Sequence, residues 1–331
     1  MRCQECLAAR GGSAVDSNLN QGFFDLIQIL QRVPQACRSE CQSARLLPRG
    51  DCVSIVGANP LPVMHATQAL NENTNTWQSP QAGCRLRDGD VHVWRTRRHW
   101  SPAAIARFRD WLSYEERTKA DAFHFEADRH RAIVGRGLLR HLLGTSLKRP
   151  PDALQILLGL NGKPELVAAL DAAPIAFNIS HSGDWILVAL AQQRAVGVDA
   201  EQMRSGMAVL EIAQQVFSEA ERTGLAALPP TAREESFFAC WTRKEAYIKA
   251  RGDGLSLPLD SFDVSFRATD AARLLATRPD PGEASRWTLH DLPLGAGYHA
   301  AVAAAGSGWQ LRQWHVHEHN LFEAHIMPAQ L

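Results

Sequence analysis

The sequence predicts an α+β fold built as two similar halves. Capping signals stand ahead of helix-forming stretches, short runs alternate apolar with polar residues, and the order helices then strands recurs on either side of residue 195. The expected division is 86–194 for the first half and 195–331 for the second, each with helices packed on a small, mainly antiparallel sheet. Residues 1–85 stand apart as a poorly structured N-terminal extension of unknown role, or as translation from a start codon upstream of the true one. They hold six of the seven cysteines and two polar tracts, Gly11–Gln21 and Asn71–Gly83, around one apolar segment, Phe23–Leu30. Cys3, Cys6, Cys37 and Cys41 could supply four thiolates to zinc, but the long gap between the pairs and the absence of glycine-rich knuckles speak against it.

Regular pattern begins with Val91–Trp94, an alternating strand after Asp88-Gly89-Asp90. Ser101-Pro102 is an N-cap followed by proline at the first helical position, and Ser113-x-x-Glu116 is a capping box, so two helices run to about Phe123. A third, from about Glu126 to Leu147, carries Ile133, Leu138, Leu142 and Leu143 on one face. Its first turns carry Arg129, His130, Arg131 and Arg136, either a solvated basic face or a phosphate site. Strands are expected next at Leu154–Leu160 and around Ile175, Phe177 and Ile179, with the Asn161-Gly162 turn presenting Lys163 and Pro164 between them. The latter strand runs into Ser180-His181-Ser182-Gly183. Trp185–Ala191 and Ala195–Ala200 follow, joined by a short polar turn and expected to share an antiparallel sheet.

The second half continues with a helix around Met207–Val216 and another opening at Ser218-x-x-Glu221. After Pro229-Pro230, Thr231 and Glu234 read as a capping box, and Gly252 can take the left-handed conformation that ends a helix near Arg251. Strand-like segments return at Phe262–Phe266, Trp287–His290, Tyr298–Ala304 and Trp309–His315.

Two groups of residues carry chemistry. Asp199 and Glu201 are two apart in an extended segment, so they point to one side and repel unless a cation lies between them. On the helix ending at Arg251, Trp241, Glu245 and Lys249 follow at i, i+4 and i+8 beside Phe237, Phe238 and Ile248. The ordinary alternative for Glu245 and Lys249 is an exposed ion pair worth a few tenths of a kcal/mol. Their place on the aromatic face instead calls for a counter-charge or a metal, and hard Mg2+, which takes carboxylates with phosphate oxygens and water, suits the acids.

Bulk composition bounds the partners. The 331 residues are 45% hydrophobic, ample for a core, and 35 basic residues balance 35 acidic ones, so no global field favours nucleic acid or an anionic membrane. No apolar run approaches the roughly 18 residues of a membrane span, and no signal-peptide core opens the chain, which places the protein in the cytoplasm.

Four blocks in order, Gly162–Leu166 (GKPEL), Phe177–Trp185 (FNISHSGDW), Gly197–Glu201 (GVDAE) and Phe237–Leu255 (FFACWTRKEAYIKARGDGL), resemble the signature of the 4'-phosphopantetheinyl transferase superfamily, in its single-chain, Sfp-type branch. The likeness covers residues 86 to 322. It implies the pseudo-duplicated transferase fold and transfer of phosphopantetheine from coenzyme A, as co-substrate, to a serine of an apo acyl or peptidyl carrier protein, releasing adenosine 3',5'-bisphosphate. By the same likeness Asp199, Glu201 and Glu245 would bind Mg2+, or Mn2+, and Lys249 would contact the pyrophosphate and act on the leaving phosphate. Glu245 would be either the general base for the serine or a ligand alone. Ser180 and His181 match residues that contact the coenzyme's phosphates, Lys163 and Pro164 lie at the nucleotide, and Arg131, with Arg129 as competitor, would take the 3'-phosphate. A monomer serving secondary metabolite biosynthesis is the expected context, with carrier recognition in Gln202–Gln215. A non-catalytic binder of coenzyme A or carrier protein is one alternative, and an unrelated Mg2+ phosphohydrolase another.

Overall fold

Local capping chemistry sets the starts of three helices in the computed structural model of the chain, which describes residues 76–80, 84–159, 161–167 and 173–322. After strand β1 (Asp90–Arg97), Ser101 caps α1 (Pro102–Trp111) by accepting from the Ala104 amide at 3.1 Å. Ser113 and Glu116 close a reciprocal box on α2 (Tyr114–Asp121), and α3 spans Glu126–Leu147 as expected. Strands β2 (Ile156–Leu158), β3 (Pro164–Leu166), β4 (Ile175–Ser182) and β5 (Trp185–Gln192) complete the first block. The apolar run from Leu154 thus supplies only a three-residue strand.

The second block repeats this order of elements. Strand β6 (Val196–Gln202) leads to α4 (Val209–Val216), α5 (Glu219–Ala226) with the Ser218–Glu221 box, and α6 (Pro230–Arg251). Short β7 (Phe262–Val264) and β8 (Leu274–Thr277) precede β9 (Trp287–Asp291) and β10 (Tyr298–Ala305). The chain ends its described course with β11 (Gln310–Val316) and α7 (Glu318–Phe322).

Four sheets result, ordered β11-β1-β5-β4, β6-β10-β9, β2-β3 and β7-β8. All pairings are antiparallel except β1 with β11. Helices and small, mainly antiparallel sheets together make an α+β protein. Period-2 alternation sorts β5 cleanly: Ile186, Val188 and Leu190 face a core with α1 and α3, including Phe108, Ile133 and Leu138. Leu187, Ala189 and Ala191 face the other way and join Val91 and Val93 against Val198, Ala200 and Val302 of the second sheet.

Two expectations are corrected. Strands β5 and β6 do not pair: β5 lies between β1 and β4, and β6 pairs β10. A short turn permits a hairpin, but here the chain crosses between sheets because the outward amides of β6 are taken by side chains of β4, described below. Nor is Thr231 a cap. Proline's preset φ suits the first helical turn, so Pro230 starts α6 with Pro229 as N-cap and no side-chain capping bond. The other end is as expected, with Gly252 at φ +79°.

All described residues fall in one compact unit, and the four cysteines considered for zinc lie outside the described residues. Trp77 is buried, and Gln78 extends the first sheet by exchanging backbone bonds of 2.9 and 2.8 Å with Gln313 and His315 of β11. Among the described residues no helix is long and apolar enough to cross a membrane.

Candidate active site

The site forms where α6 lies on β6, and a missing side chain permits that contact. A Cβ on Gly197 would stand 2.2 Å from the Ala250 nitrogen and 2.3 Å from the Ala246 carbonyl oxygen, so only glycine lets the helix approach this closely. The last turns of α6 are thereby set over Asp199. Lys249 Nζ lies 2.6 Å from Asp199 Oδ1 with both side chains buried, so the lysine has found the partner its aromatic face demanded.

Asp199 and Glu201 do share one side of β6, and β4 supplies a hydroxyl to each. Ser180 Oγ donates to Asp199 Oδ1 at 3.1 Å and Ser182 Oγ to Glu201 Oε2 at 2.9 Å. The same oxygens accept from the amides of Ala200 (3.2 Å) and Gln202 (2.9 Å), and Asn178 Oδ1 accepts from Val198 at 2.9 Å. Three alternate residues of β4 therefore serve as the strand partner that the β6 edge lacks. The sequence reading missed Asn178 and Ser182, although small polar residues at every second place in NISHS were the available signal.

Electrostatics at this corner are crowded. Burial, then Asp199, raises the Glu201 carboxyl well above its usual range, against the pull of the Ser182 hydrogen bond. Burial, then Asp199, pushes Glu245 up to about 7, with Lys249 opposing. Burial works against the charge of Lys249 but is outweighed by Asp199 and then Glu245, so its pKa is raised. Asp199 Oδ2 is buried and meets no donor among the described residues. An orphaned carboxylate oxygen beside two acids that resist ionising fits a divalent cation. Among the described residues no three His, Cys, Asp or Glu side chains converge as a ready-made metal site. In this arrangement Lys249 is the cation at Asp199 Oδ1, which leaves Oδ2 for a metal.

A cationic wall faces the acids. Burial, then Arg131, Lys249 and Arg136, drives the His181 pKa down to about 3, which keeps the ring neutral, and its buried Nδ1 meets no partner among the described residues. Arg131 is braced by Asp128 at 2.7 Å, whereas the Arg129 guanidinium reaches the Phe123 carbonyl at 3.2 Å. The structure thus brings Arg131 towards His181 and uses Arg129 to hold the approach to α3. Arg136, read from sequence only as part of a basic cluster, joins the wall.

Lys163 is placed differently from a free nucleotide ligand. Its ammonium donates to the carbonyls of Val196 (3.2 Å) and Ala250 (2.9 Å), the latter in the final turn of α6, and burial lowers its pKa to about 8. Pro164 opens β3 opposite Leu158.

Comparison with known proteins accounts for the same region. Residues 98–193 match the family model described as 4'-phosphopantetheinyl transferase, N-terminal, and residues 195–303 match that of the 4'-phosphopantetheinyl transferase superfamily. The chain is 32% identical over 241 residues to 4'-phosphopantetheinyl transferase HetI of a Nostoc species, covering 73% of this chain and 98% of that protein. It is 34% identical over 199 residues to 4'-phosphopantetheinyl transferase Sfp of Bacillus subtilis, covering 60% of this chain and 84% of that one. A further Bacillus subtilis 4'-phosphopantetheinyl transferase is 36% identical over 172 residues, covering 52% and 73% respectively. With residues 98–193 and 195–303 each matched and one relative covered almost end to end, the chain belongs to the Sfp-type branch of the 4'-phosphopantetheinyl transferase superfamily.

Proposed function

We propose that this protein transfers 4'-phosphopantetheine from coenzyme A to a serine of an apo acyl or peptidyl carrier protein. The observation that carries the reading is the buried Lys249–Asp199 pair across β6 and α6, within electrostatic reach of Glu201 and Glu245, in a chain whose relatives bear that activity in their names. The serine oxygen forms a bond to the β-phosphorus, and the bond from that phosphorus to the bridging oxygen breaks. Its electron pair leaves on adenosine 3',5'-bisphosphate. Asp199, Glu201 and Glu245 would hold Mg2+, or Mn2+, which when bound supplies charge to the pyrophosphate oxygens. Glu245, with a pKa near 7, is suited to accept the serine proton. Lys249 keeps its charge against Asp199 and steadies the departing phosphate. Neutral His181 with Arg131 and Arg136 forms the anion-facing wall for the coenzyme's phosphates. The protein acts as a monomer in the cytoplasm, with Gln202–Gln215 towards the carrier.

The same reading includes duplication of one half, 86–194, as the other, 195–331, behind an N-terminal extension. Sheet order β1-β5-β4 has its counterpart in β6-β10-β9, and β2-β3 in β7-β8. A buried cation repeats as well. Arg140 of α3 reaches Glu116, inside the α2 capping box, at 2.6 Å and the carbonyls of Pro151 and Leu154. Lys244 of α6 reaches Glu221, inside the α5 capping box, at 2.8 Å and the carbonyls of Leu259 and Phe262. Both boxes read S-x-x-E-R-T, at Ser113–Thr118 and Ser218–Thr223.

The test is mass spectrometry of apo carrier proteins incubated with the protein, Mg2+ and coenzyme A. A gain of one phosphopantetheine, abolished by EDTA, is expected. Bound coenzyme A with no gain on several unrelated carriers would overturn the reading in favour of a binder.

A further inference from the structure

Strand β6 has two edges, and only one is paired with a strand. The other presents the amides of Val198, Ala200 and Gln202 to Asn178, Ser180 and Ser182 of β4. These three contacts look alike from the amide side but differ in what else each side chain does. Asn178 stands opposite the stretch containing Gly197, which has no side chain to hold. Ser182 stands beside Glu201 and makes two bonds with one oxygen, each 2.9 Å.

The direction of those two bonds follows from inventory. A backbone amide can only donate, so a lone pair of Ser182 Oγ is occupied by Gln202. The hydroxyl has one proton, and the Glu201 carboxylate is the acceptor that receives it. A hydroxyl fixed at both ends has lost its freedom to rotate, and it passes that restraint to the carboxylate.

Resting on the transferase reading above, we propose that Ser182 is a positioning residue for Glu201: pinned by the Gln202 amide, its hydroxyl fixes the orientation in which that carboxylate meets the catalytic metal. Outer partners of this kind commonly carry tenfold or more of metal affinity. The assignment separates Ser182 from Asn178, whose equivalent amide bond serves only to join the sheets.

The test compares Ser182→Ala, Ser182→Thr and Asn178→Ala in the full chain. Mn2+ affinity is read by electron paramagnetic resonance, the Mg2+ midpoint and the KM for coenzyme A by steady-state transfer, and folding by thermal melting. Ser182→Ala is expected to weaken Mn2+ by about tenfold and to raise the Mg2+ midpoint in proportion. Its KM for coenzyme A should stay within about twofold, and Ser182→Thr, which keeps the hydroxyl, should restore the metal affinity. Asn178→Ala should leave Mn2+ affinity unchanged even if it melts earlier. Unchanged Mn2+ affinity in Ser182→Ala, or an equal loss in Asn178→Ala, overturns the assignment and makes the ladder purely structural. A wild-type protein that binds Mn2+ yet modifies no carrier overturns the transferase reading instead, while the Ser182 comparison is still decided by Mn2+. Wild-type protein that binds no Mn2+ overturns both.

Discussion

Two buried lysines lie five residues apart on α6 and have opposite fates. Lys244 Nζ is saturated: Glu221 Oε2 at 2.8 Å and the carbonyls of Leu259 and Phe262 at 2.8 and 2.7 Å take its three protons, and the Phe262 ring lies 4.2 Å away. Lys249 Nζ has one short partner, Asp199 at 2.6 Å, and a long contact to Ser180 at 3.4 Å. Around Lys244 every polar atom named has its match. Around Lys249 a carboxylate oxygen is orphaned and two further acids are held back from ionising. A closed network stabilises a fold, whereas an open one, costly to keep, marks a place reserved for something that binds.

The largest effect should come from the open network. Asp199→Asn and Glu245→Gln each replace a carboxylate by an amide of nearly the same shape. Transfer is expected to fall by up to about 10⁴-fold for Glu245→Gln if it serves as base as well as ligand. Glu245→Gln should not melt earlier than wild type, because it removes a like charge from a crowded site, whereas Asp199→Asn takes the buried counter-charge from Lys249 and should melt earlier. Initial rates alongside melting curves test this, and a drop in stability of Glu245→Gln parallel to its loss of rate would put Glu245 in the structural class.

Next is the closed network. Lys244→Met takes the counter-charge from buried Glu221 and the ammonium donor from two carbonyls, and is expected to cost about 4 kcal/mol. Lys249→Met also strands an acid, but there Mg2+ can act as the substitute cation. Mg2+ at a hundred times its Kd stabilises a folded protein by about 2.7 kcal/mol. The increment should be larger in Lys249→Met than in wild type and unaltered in Lys244→Met. Equal increments in all three, measured by denaturant titration, would erase the distinction between the lysines.

How far this was legible from the chain depended on the range of the interaction. The capping boxes at Ser113 and Ser218, the stop at Gly252 and the shared side of Asp199 and Glu201 are local, decided within a few residues, and they were read correctly. Thr231 was misread because a competing local rule, proline at the first helical position, also applied one residue earlier. The β5–β6 pairing was misread for a different reason. Both strands alternate well, and what separates them is the set of bonds from Asn178, Ser180 and Ser182 to amides about twenty residues away, invisible to any local pattern. Lys163 belongs to the same class, since its partners Val196 and Ala250 are distant in sequence. The meeting of Asp199 with Lys249 was reachable because the four sequence blocks keep their order.

The residues that follow the two repeated buried cations extend the comparison to the halves. Glu245 follows Lys244, and His141 follows Arg140; burial favours the neutral form of both, raising the acid to about 7 and lowering the imidazole to about 4. For His141, stacked on Trp111 with ring centroids 5.2 Å apart, the consequence is a pH dependence of stability. Its folded pKa lies below its unfolded value of 6.5, so the unfolded chain binds the extra proton between pH 6.5 and 4. Stability from this residue is complete above 6.5 and is lost as pH falls towards 4, by about 3 kcal/mol in all. His141→Phe should flatten that part of the curve, and an unchanged acid limb would show that other groups control it.

The smallest effect concerns the two capping boxes, which are alike in sequence but differ in setting. Ser113 is partly exposed, and its removal costs a helix start the usual 1 kcal/mol or so. Ser218 is buried, and the Glu221 that bonds its amide at 2.9 Å also accepts from the Val264 amide at 2.8 Å and from Lys244. Glu116 binds Arg140, and among the described residues no strand amide donates to it. Ser218→Ala should therefore exceed Ser113→Ala by several tenths of a kcal/mol, since loosening Glu221 disturbs three groups at once. A double-mutant cycle with Lys244→Met sharpens the point: Ser218→Ala should couple to it and Ser113→Ala should add independently. Coupling of equal size at both serines would mean that the buried cation, and not the cap, is shared across the halves.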